Sequence, residues 1–329
     1  MSAFRAEAAT RGPVKRTVTD PILRDRIDAS AGLPALFDTP SMYPTLVYLN
    51  GKFLPPEQAQ VSAFDRGFVF ADGVYEVIPA YGGRPFRLPQ HLARLDNSLA
   101  GIRLANPLTA RDWQAVFARL VEPGGDADQS VYLQVTRGPA PRDHAFPKQV
   151  TPTVFAYAQA LKYPEPSQLV AGVAAITVPD IRWQRCDIKA IALLPNVLMR
   201  QQATEQGAAE AILLRDGLMT EGSASNIFVV LKGVLVTPPK GPFILPGVTR
   251  DLTLELARAH GLTCEERDVT ESELRSAEEL MLSSSIKELL PITRLDGKPV
   301  GSGKPGALHA RLHALYQNYI RDFRAGLVE

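Results

Sequence analysis

The feature that most constrains the fold is a series of short apolar runs joined by two-residue turns that send the chain back on itself. Asn50-Gly51 follows TLVYL, Gly82-Gly83 follows YEVIPAY, and Asp216-Gly217 divides AILLR from LMTEG. Such pairs supply the positive φ angles that tight hairpins need. The runs VYLQVTRG and PTVFAYAQAL extend the first group of strands; SNIFVVL, VLVTP and LMLSSSIKELLPI, the last read as one strand, extend the second. Helical periodicity appears between them. PQHLARLDNSLAGIRL places Leu92, Leu95, Leu99 and Ile102 on one face with Pro89 in the first turn, and TARDWQAVFARLV has Thr109 as a cap. LLPNVLMRQQATEQG, TRDLTLELARAHG and LHARLHALYQNYI are further helices, the first stopping at Gly207. Strands that meander, with helices between groups of them, give an α/β class of α+β-like character rather than a doubly wound sheet.

A chain of 329 residues can hold about two domains. The proline-rich segment KYPEPSQ is the candidate linker. The expected division is an N-terminal extension over 1–40 with one short helix at PILRDRID, a small α/β domain over 41–161, a linker over 162–166 and a larger domain over 167–329. Thirty-six basic against 35 acidic side chains leave a formal charge of +1, so there is no basic excess to grip nucleic acid. Two cysteines, Cys186 and Cys264, form neither a disulfide framework nor a zinc motif, and no metal site is expected. No apolar run approaches the ~20 residues that span a bilayer, and the N-terminus lacks the apolar segment of a secretory signal. A soluble cytoplasmic protein without membrane partners is expected.

Lys189 is the residue that asks for chemistry. VAAITVPDIRW reads as a strand carrying on toward Ile188, LLPNVLMRQQATEQG reads as a helix, and Lys189 sits at their join among apolar residues. A lysine there either snorkels to water or is a partly desolvated amine able to form a Schiff base with a carbonyl cofactor. LPGVTRD offers a helix entry at Gly247, Val248 and Thr249 where free N–H groups favour an anion, although taken by itself Thr249 reads first as an N-cap. Ser283 to Ser285 could add hydroxyls or be a polar strand end. Arg94, three residues after His91, has the placing of a solvated helix-surface arginine.

Taken together, EGSASNIF from Glu221, then VLVT, then LPGVTR resemble the signature of class IV pyridoxal-phosphate aminotransferases. The likeness runs from about Tyr48 to the C-terminal helix. Within that family DRGFVFADGVYEV, HLARL, QVTRGPAPRDHAFP, DIRWQRCDIK and EGSASNIF resemble, in this order, segments of the D-amino-acid aminotransferases.

The resemblance implies a fold type IV enzyme with the cofactor between a smaller N-terminal and a larger C-terminal domain, assembled as a homodimer. It implies Lys189 as the lysine carrying pyridoxal 5'-phosphate and Glu221 as the carboxylate facing the pyridine nitrogen. Arg94, Val248, Thr249 and Ser285 would bind the phosphate, and Arg182 would lie near the phenolic oxygen. Tyr75, Arg142 and His144 would trap the substrate α-carboxylate. The implied reaction is ping-pong transamination, via pyridoxamine phosphate, between a D-amino acid such as D-alanine or D-glutamate and a 2-keto acid, 2-oxoglutarate or pyruvate. Rival readings within the family are a branched-chain L-aminotransferase, an (R)-amine transaminase or aminodeoxychorismate lyase. A rival outside catalysis is a protein that only binds the cofactor. Pro195 and Asn196 interrupt the start of the helix after Lys189, and Ile286 stands where a further hydroxyl can occur.

Overall fold

The computed structural model describes residues 44–121 and 127–329. The N-terminal extension and its expected helix therefore lie outside the described residues. Within the described residues the strands gather into two sheets.

The first sheet takes β1 (Val47–Leu49), β2 (Lys52–Leu54), β3 (Gly73–Tyr81), β4 (Arg84–Pro85), β5 (Gln129–Thr136) and β6 (Thr153–Ala160) in the order β2-β1-β6-β5-β3-β4. All its pairs are antiparallel, and the Asn50-Gly51 and Gly82-Gly83 turns close the β1-β2 and β3-β4 hairpins as expected. Helix α1 (Arg66–Phe70) leads into β3; α2 (Leu88–Gly101) and α3 (Ala110–Leu120) follow β4. Leu92, Leu95 and Leu99 of α2 and Trp113 and Phe117 of α3 pack on Val74, Ile78, Val131 and Leu133 to form one core. Each such side chain taken from water contributes about 1.5–3 kcal/mol. Thr109 caps α3 in a reciprocal pair with Asp112.

The second sheet is mixed. Helix α4 (Pro166–Ala171) precedes β7 (Val173–Pro179), α5 (Leu194–Glu205) precedes β8 (Glu210–Arg215) and β9 (Leu218–Gly222), and β10 (Asn226–Leu231) and β11 (Val234–Thr237) precede α6 (Val248–Ala259). Then come β12 (Cys264–Glu266), α7 (Glu271–Arg275), β13 (Glu279–Ser284), β14 (Glu288–Leu295), β15 (Lys298–Pro299) and α8 (Ala307–Arg324). The order is β12-β11-β10-β13-β14-β7-β8-β9, with β15 on β14, and β11/β12, β14/β7 and β7/β8 are parallel.

Five local expectations need correction. The strand before Lys189 ends at Pro179. Asp180 breaks it: its carboxylate accepts from Arg182 N, Arg182 Nε and the Thr220 hydroxyl, which replaces ladder bonds with side-chain bonds. LMLSSSIKELLPI is a hairpin of two strands, Ser284 pairing with Glu288, and Glu288 adopts φ +53° at its turn. The run carries no Gly or Asn to announce that turn. Gly247, not Thr249, occupies the N-cap of α6. Pro195 sits in the first turn of α5, where its missing N–H costs nothing, and Asn196 continues the helix. Part of the expected linker is also helical, since Pro166 opens α4.

Candidate active site

Lys189 is held by its neighbours. Ile188 and Ala190 are buried in the core of the first sheet, and Ala190 bridges to Val74 of β3. Tyr75 N donates to Lys189 O at 3.0 Å, and Lys189 N donates to Ser98 Oγ at 3.1 Å. With both neighbours anchored inward, the Lys189 side chain projects into a cavity of about 710 Å3. Its Nζ lies 4.1 Å from the centre of the Tyr75 ring, itself stacked on Tyr132.

Across the cavity, at the end of β9, stands Glu221, which is buried. Its Oε1 accepts from Arg182 Nη1. Its Oε2 accepts from Asn226 Nδ2 and from Leu245 N, both at 3.0 Å. Burial nonetheless pushes its carboxyl up to about 7, against the pull of Arg182, the Leu245 N–H and Lys189. Asn226 Nδ2 also donates to Leu245 O at 2.9 Å, so the Glu and Asn of EGSASNIF together fix the loop before α6. Gly247 is required there: a Cβ on it would stand 2.0 Å from Asn226 Oδ1.

The third wall is built for an anion. Arg94 on α2 is buried, not solvated, and its Nη1 donates to Pro246 O at 3.1 Å beside the start of α6. Glu76 of β3, with no exposed surface, accepts Arg94 Nε and Nη2, each at 2.7 Å, and pairs with His91 Nδ1 at 2.9 Å. Burial would raise the Glu76 carboxyl, but the Arg94 charge and the bonds from Arg94 and His91 outweigh it and hold the group at about 2. Burial in turn lowers His91 below its ordinary value. Val248 and Thr249 begin α6, whose first N–H groups have no intrahelical acceptor. Ser283 to Ser285 line the same wall, and the Ser283 hydroxyl is buried without a hydrogen-bond partner. A cation, a helix N-terminus and an unmatched hydroxyl converge on one spot.

The cavity thus brings together Tyr75, Arg94, Arg182, Lys189, Glu221, Val248, Thr249 and Ser285. Arg182 donates Nε and Nη2 to Asp180 and Nη1 to Glu221, so its geometry suits holding Glu221 in place. Arg142 and His144 are exposed and do not line the cavity; both lie against Phe70. Sequence reasoning missed Glu76, His91 and the bridging role of Asn226. A signal for Glu76 existed: in GVYEVIPAY it shares a face with Val74, Ile78 and Ala80, where a charge demands a buried partner.

The residues fit pyridoxal 5'-phosphate: an amine for its aldehyde, a buried carboxylate for its ring nitrogen, and an anion-binding wall for its phosphate. The cavity is also within the usual size of a small-molecule site. A family model described as amino-transferase class IV matches residues 73–295. A D-alanine aminotransferase of Bacillus licheniformis is 43% identical over 274 residues, 83% of this chain and 96% of that protein. One from Staphylococcus epidermidis is 39% identical over 279 residues, 84% of this chain and 99% of that protein. Among solved structures, a T.th. branched-chain amino acid aminotransferase with pyridoxamine 5'-phosphate has a TM-score of 0.78 at 25% identity, covering 84% of this chain and 94% of that one.

Proposed function

This chain belongs to the class IV aminotransferases, and from that premise we propose how its residues hold pyridoxal 5'-phosphate and handle a D-amino acid. Its activity is D-amino-acid transamination, the exchange of an amino group with a 2-keto acid. The observation that carries the assignment of roles is the convergence of Lys189, Glu221 and the Arg94 wall on one cavity.

When bound, the cofactor supplies an electron sink for the pair left behind when the substrate Cα–H breaks. Lys189 Nζ would hold the cofactor by its aldehyde carbon and, when free, would accept the proton from the substrate Cα and deliver it at C4' of the cofactor. Glu221, whose burial raises its carboxyl to about 7 in the protein without cofactor, would face the ring nitrogen and, as its anionic partner, favour the protonated form of that nitrogen. Arg182 and Asn226 fix Glu221. Arg94, the Val248 and Thr249 N–H groups, the Thr249 hydroxyl, Ser283 and Ser285 would hold the phosphate.

Tyr75, Arg142 and His144 bind the α-carboxylate of D-alanine or a similar substrate, and 2-oxoglutarate or pyruvate is the acceptor. Because Arg142 and His144 do not line the cavity of their own chain, a homodimer that presents this exposed loop to the partner's cavity completes the trap. The two sheets support a division into a domain over 41–161 and one over 167–329. Among the described residues no helix is long and apolar enough to cross a membrane. The cytoplasm is the compartment we propose.

The test is the visible absorption of the cofactor-loaded protein during separate additions of D-alanine, L-leucine and (R)-1-phenylethylamine. Loss of the lysine-bound cofactor band fastest with D-alanine is expected. A faster response to L-leucine or to the amine would move the carboxylate trap away from Arg142 and His144.

A further inference from the structure

Arg142 and His144 are exposed on the loop after β5, yet a carboxylate trap needs its donors fixed to within about half an ångström. The structure shows what fixes them. At the base of the loop the backbone pairs with the segment before β3: Arg66 N donates to Gly138 O at 3.0 Å and Ala140 N to Phe64 O at 3.2 Å. At its tip the buried Arg66 side chain reaches the loop backbone. Arg66 Nη1 donates to Asp143 O at 2.5 Å and to Ala145 O at 3.4 Å, bracketing His144 and following Arg142. Its Nε donates to Asp72 at 2.8 Å, and Asp72 is also bound by Arg137.

The same guanidinium lies 4.7 Å from the centre of the Phe70 ring. Arg142 lies over that ring at 5.2 Å, and the His144 ring packs against it at 5.3 Å. Phe146, one step further, is covered by Arg137 at 3.8 Å. Both trap residues thus rest on one ring while their neighbouring carbonyls are gripped by one buried cation. Arg66 does not line the cavity.

We propose that Arg66 and Phe70 form a cradle that positions the Arg142–His144 loop for the substrate carboxylate, Arg66 being a positioning residue that acts through the loop. This rests on the reading of Arg142 and His144 as the carboxylate trap. Arginine suits the position because its planar fork serves Asp72 from Nε and the Asp143 carbonyl from Nη1 together; a lysine at 66 offers all its donors from one atom and does not reproduce these two separate positions.

The experiment uses cofactor-loaded Arg66→Lys, Phe70→Leu, the trap variant Arg142→Ala/His144→Ala, and Arg66→Lys combined with the trap variant. The half-reaction is followed with D-alanine and with D-alaninamide, which lacks the anionic carboxylate, and amide hydrogen exchange is read over residues 141–147. Arg66→Lys is expected to raise the apparent dissociation constant of D-alanine about tenfold with its maximal rate within about twofold, leave D-alaninamide unchanged, and speed exchange in the loop. On the trap-variant background it should change D-alanine by less than about twofold. Phe70→Leu keeps the buried ion pair and should show the same split at about threefold, which preserves the test if Arg66→Lys does not fold. Unchanged D-alanine binding in a folded cradle variant, or equal losses on D-alanine and D-alaninamide, overturns the proposal. If the trap variant itself binds D-alanine normally, the carboxylate reading fails, and with it the basis of the cradle.

Discussion

Replacing Glu76 by Gln tests the anion-binding wall from behind. The wild-type carboxylate has no exposed surface and receives two Arg94 bonds at 2.7 Å and one from His91 at 2.9 Å. A Gln amide has one oxygen and one NH2, so it can satisfy one arm of the guanidinium and must point a donor at the other or at His91. Arg94 keeps its charge and becomes a buried cation without a counterion. Breaking such a pair by removing one partner costs about 3–5 kcal/mol.

Proton linkage gives an independent figure. The Glu76 carboxyl stands at about 2 against an ordinary 4.5, and a difference of about 2.5 units at 1.36 kcal/mol each is on the order of 3 kcal/mol. For a depressed acid this stability is present above 4.5 and is lost as the pH falls through about 2. Urea unfolding of cofactor-free protein at pH 7 should therefore show Glu76→Gln less stable by about 3–5 kcal/mol. Inorganic phosphate should then separate the two proteins. At a phosphate concentration one hundred times the wild-type dissociation constant the wild type gains about 2.7 kcal/mol, and at that same concentration the gain should be larger in the variant, where phosphate is the counterion Arg94 lacks. A loss under about 1 kcal/mol would refute the buried-pair reasoning, being the scale of an exposed pair. A full loss with equal phosphate gains in both proteins would remove Arg94 from the anion site.

Lys189→Ala should abolish turnover while pyridoxal 5'-phosphate still binds noncovalently, as read by absorbance after dialysis; undiminished turnover would sink the mechanism. In cofactor-free protein the raised Glu221 carboxyl contributes stability below its ordinary 4.5 that is lost as the pH rises through about 7. The stability of wild type relative to Glu221→Gln should accordingly fall by on the order of 3 kcal/mol over that window, and a flat difference would contradict it. In activity, Glu221→Gln should lower kcat by about a hundredfold or more, because the ring nitrogen loses its anionic partner. Gly247→Ala would drive a methyl into Asn226 Oδ1, displacing the Asn from Glu221. It should weaken cofactor binding about tenfold or more, an overpacking cost of about 1–3 kcal/mol, and wild-type affinity by fluorescence titration would show that the loop yields freely.

Much of this protein is local and so was legible. The three two-residue turns close hairpins because φ angles at Asn50-Gly51, Gly82-Gly83 and Asp216-Gly217 are properties of the residues themselves. Helices with a one-sided apolar stripe, such as α2, were equally plain. Lys189 and Glu221 were found by their order within a motif, and the structure gives the motif its reason: Glu221, Asn226 and Gly247 are one interlocked contact. Short pieces such as α1, α7, β12 and β15 complete too little of a period to be read.

What only the tertiary structure decided depends on partners far apart in the chain. Arg94 looks like a surface arginine until Glu76, 18 residues away, is brought beneath it. The β13-β14 hairpin needs its neighbours β10 and β7 in the sheet, because its own turn carries no Gly or Asn to fix it. Arg142 and His144 take their expected role as carboxylate trap from their place in a motif, and only the fold shows that they rest on Phe70, outside the cavity of their own chain. The physical reason is common to all three. Backbone preference and periodicity are set by adjacent residues, but the environment of a charge, and the direction in which an exposed loop points, are set by whatever the fold packs against it.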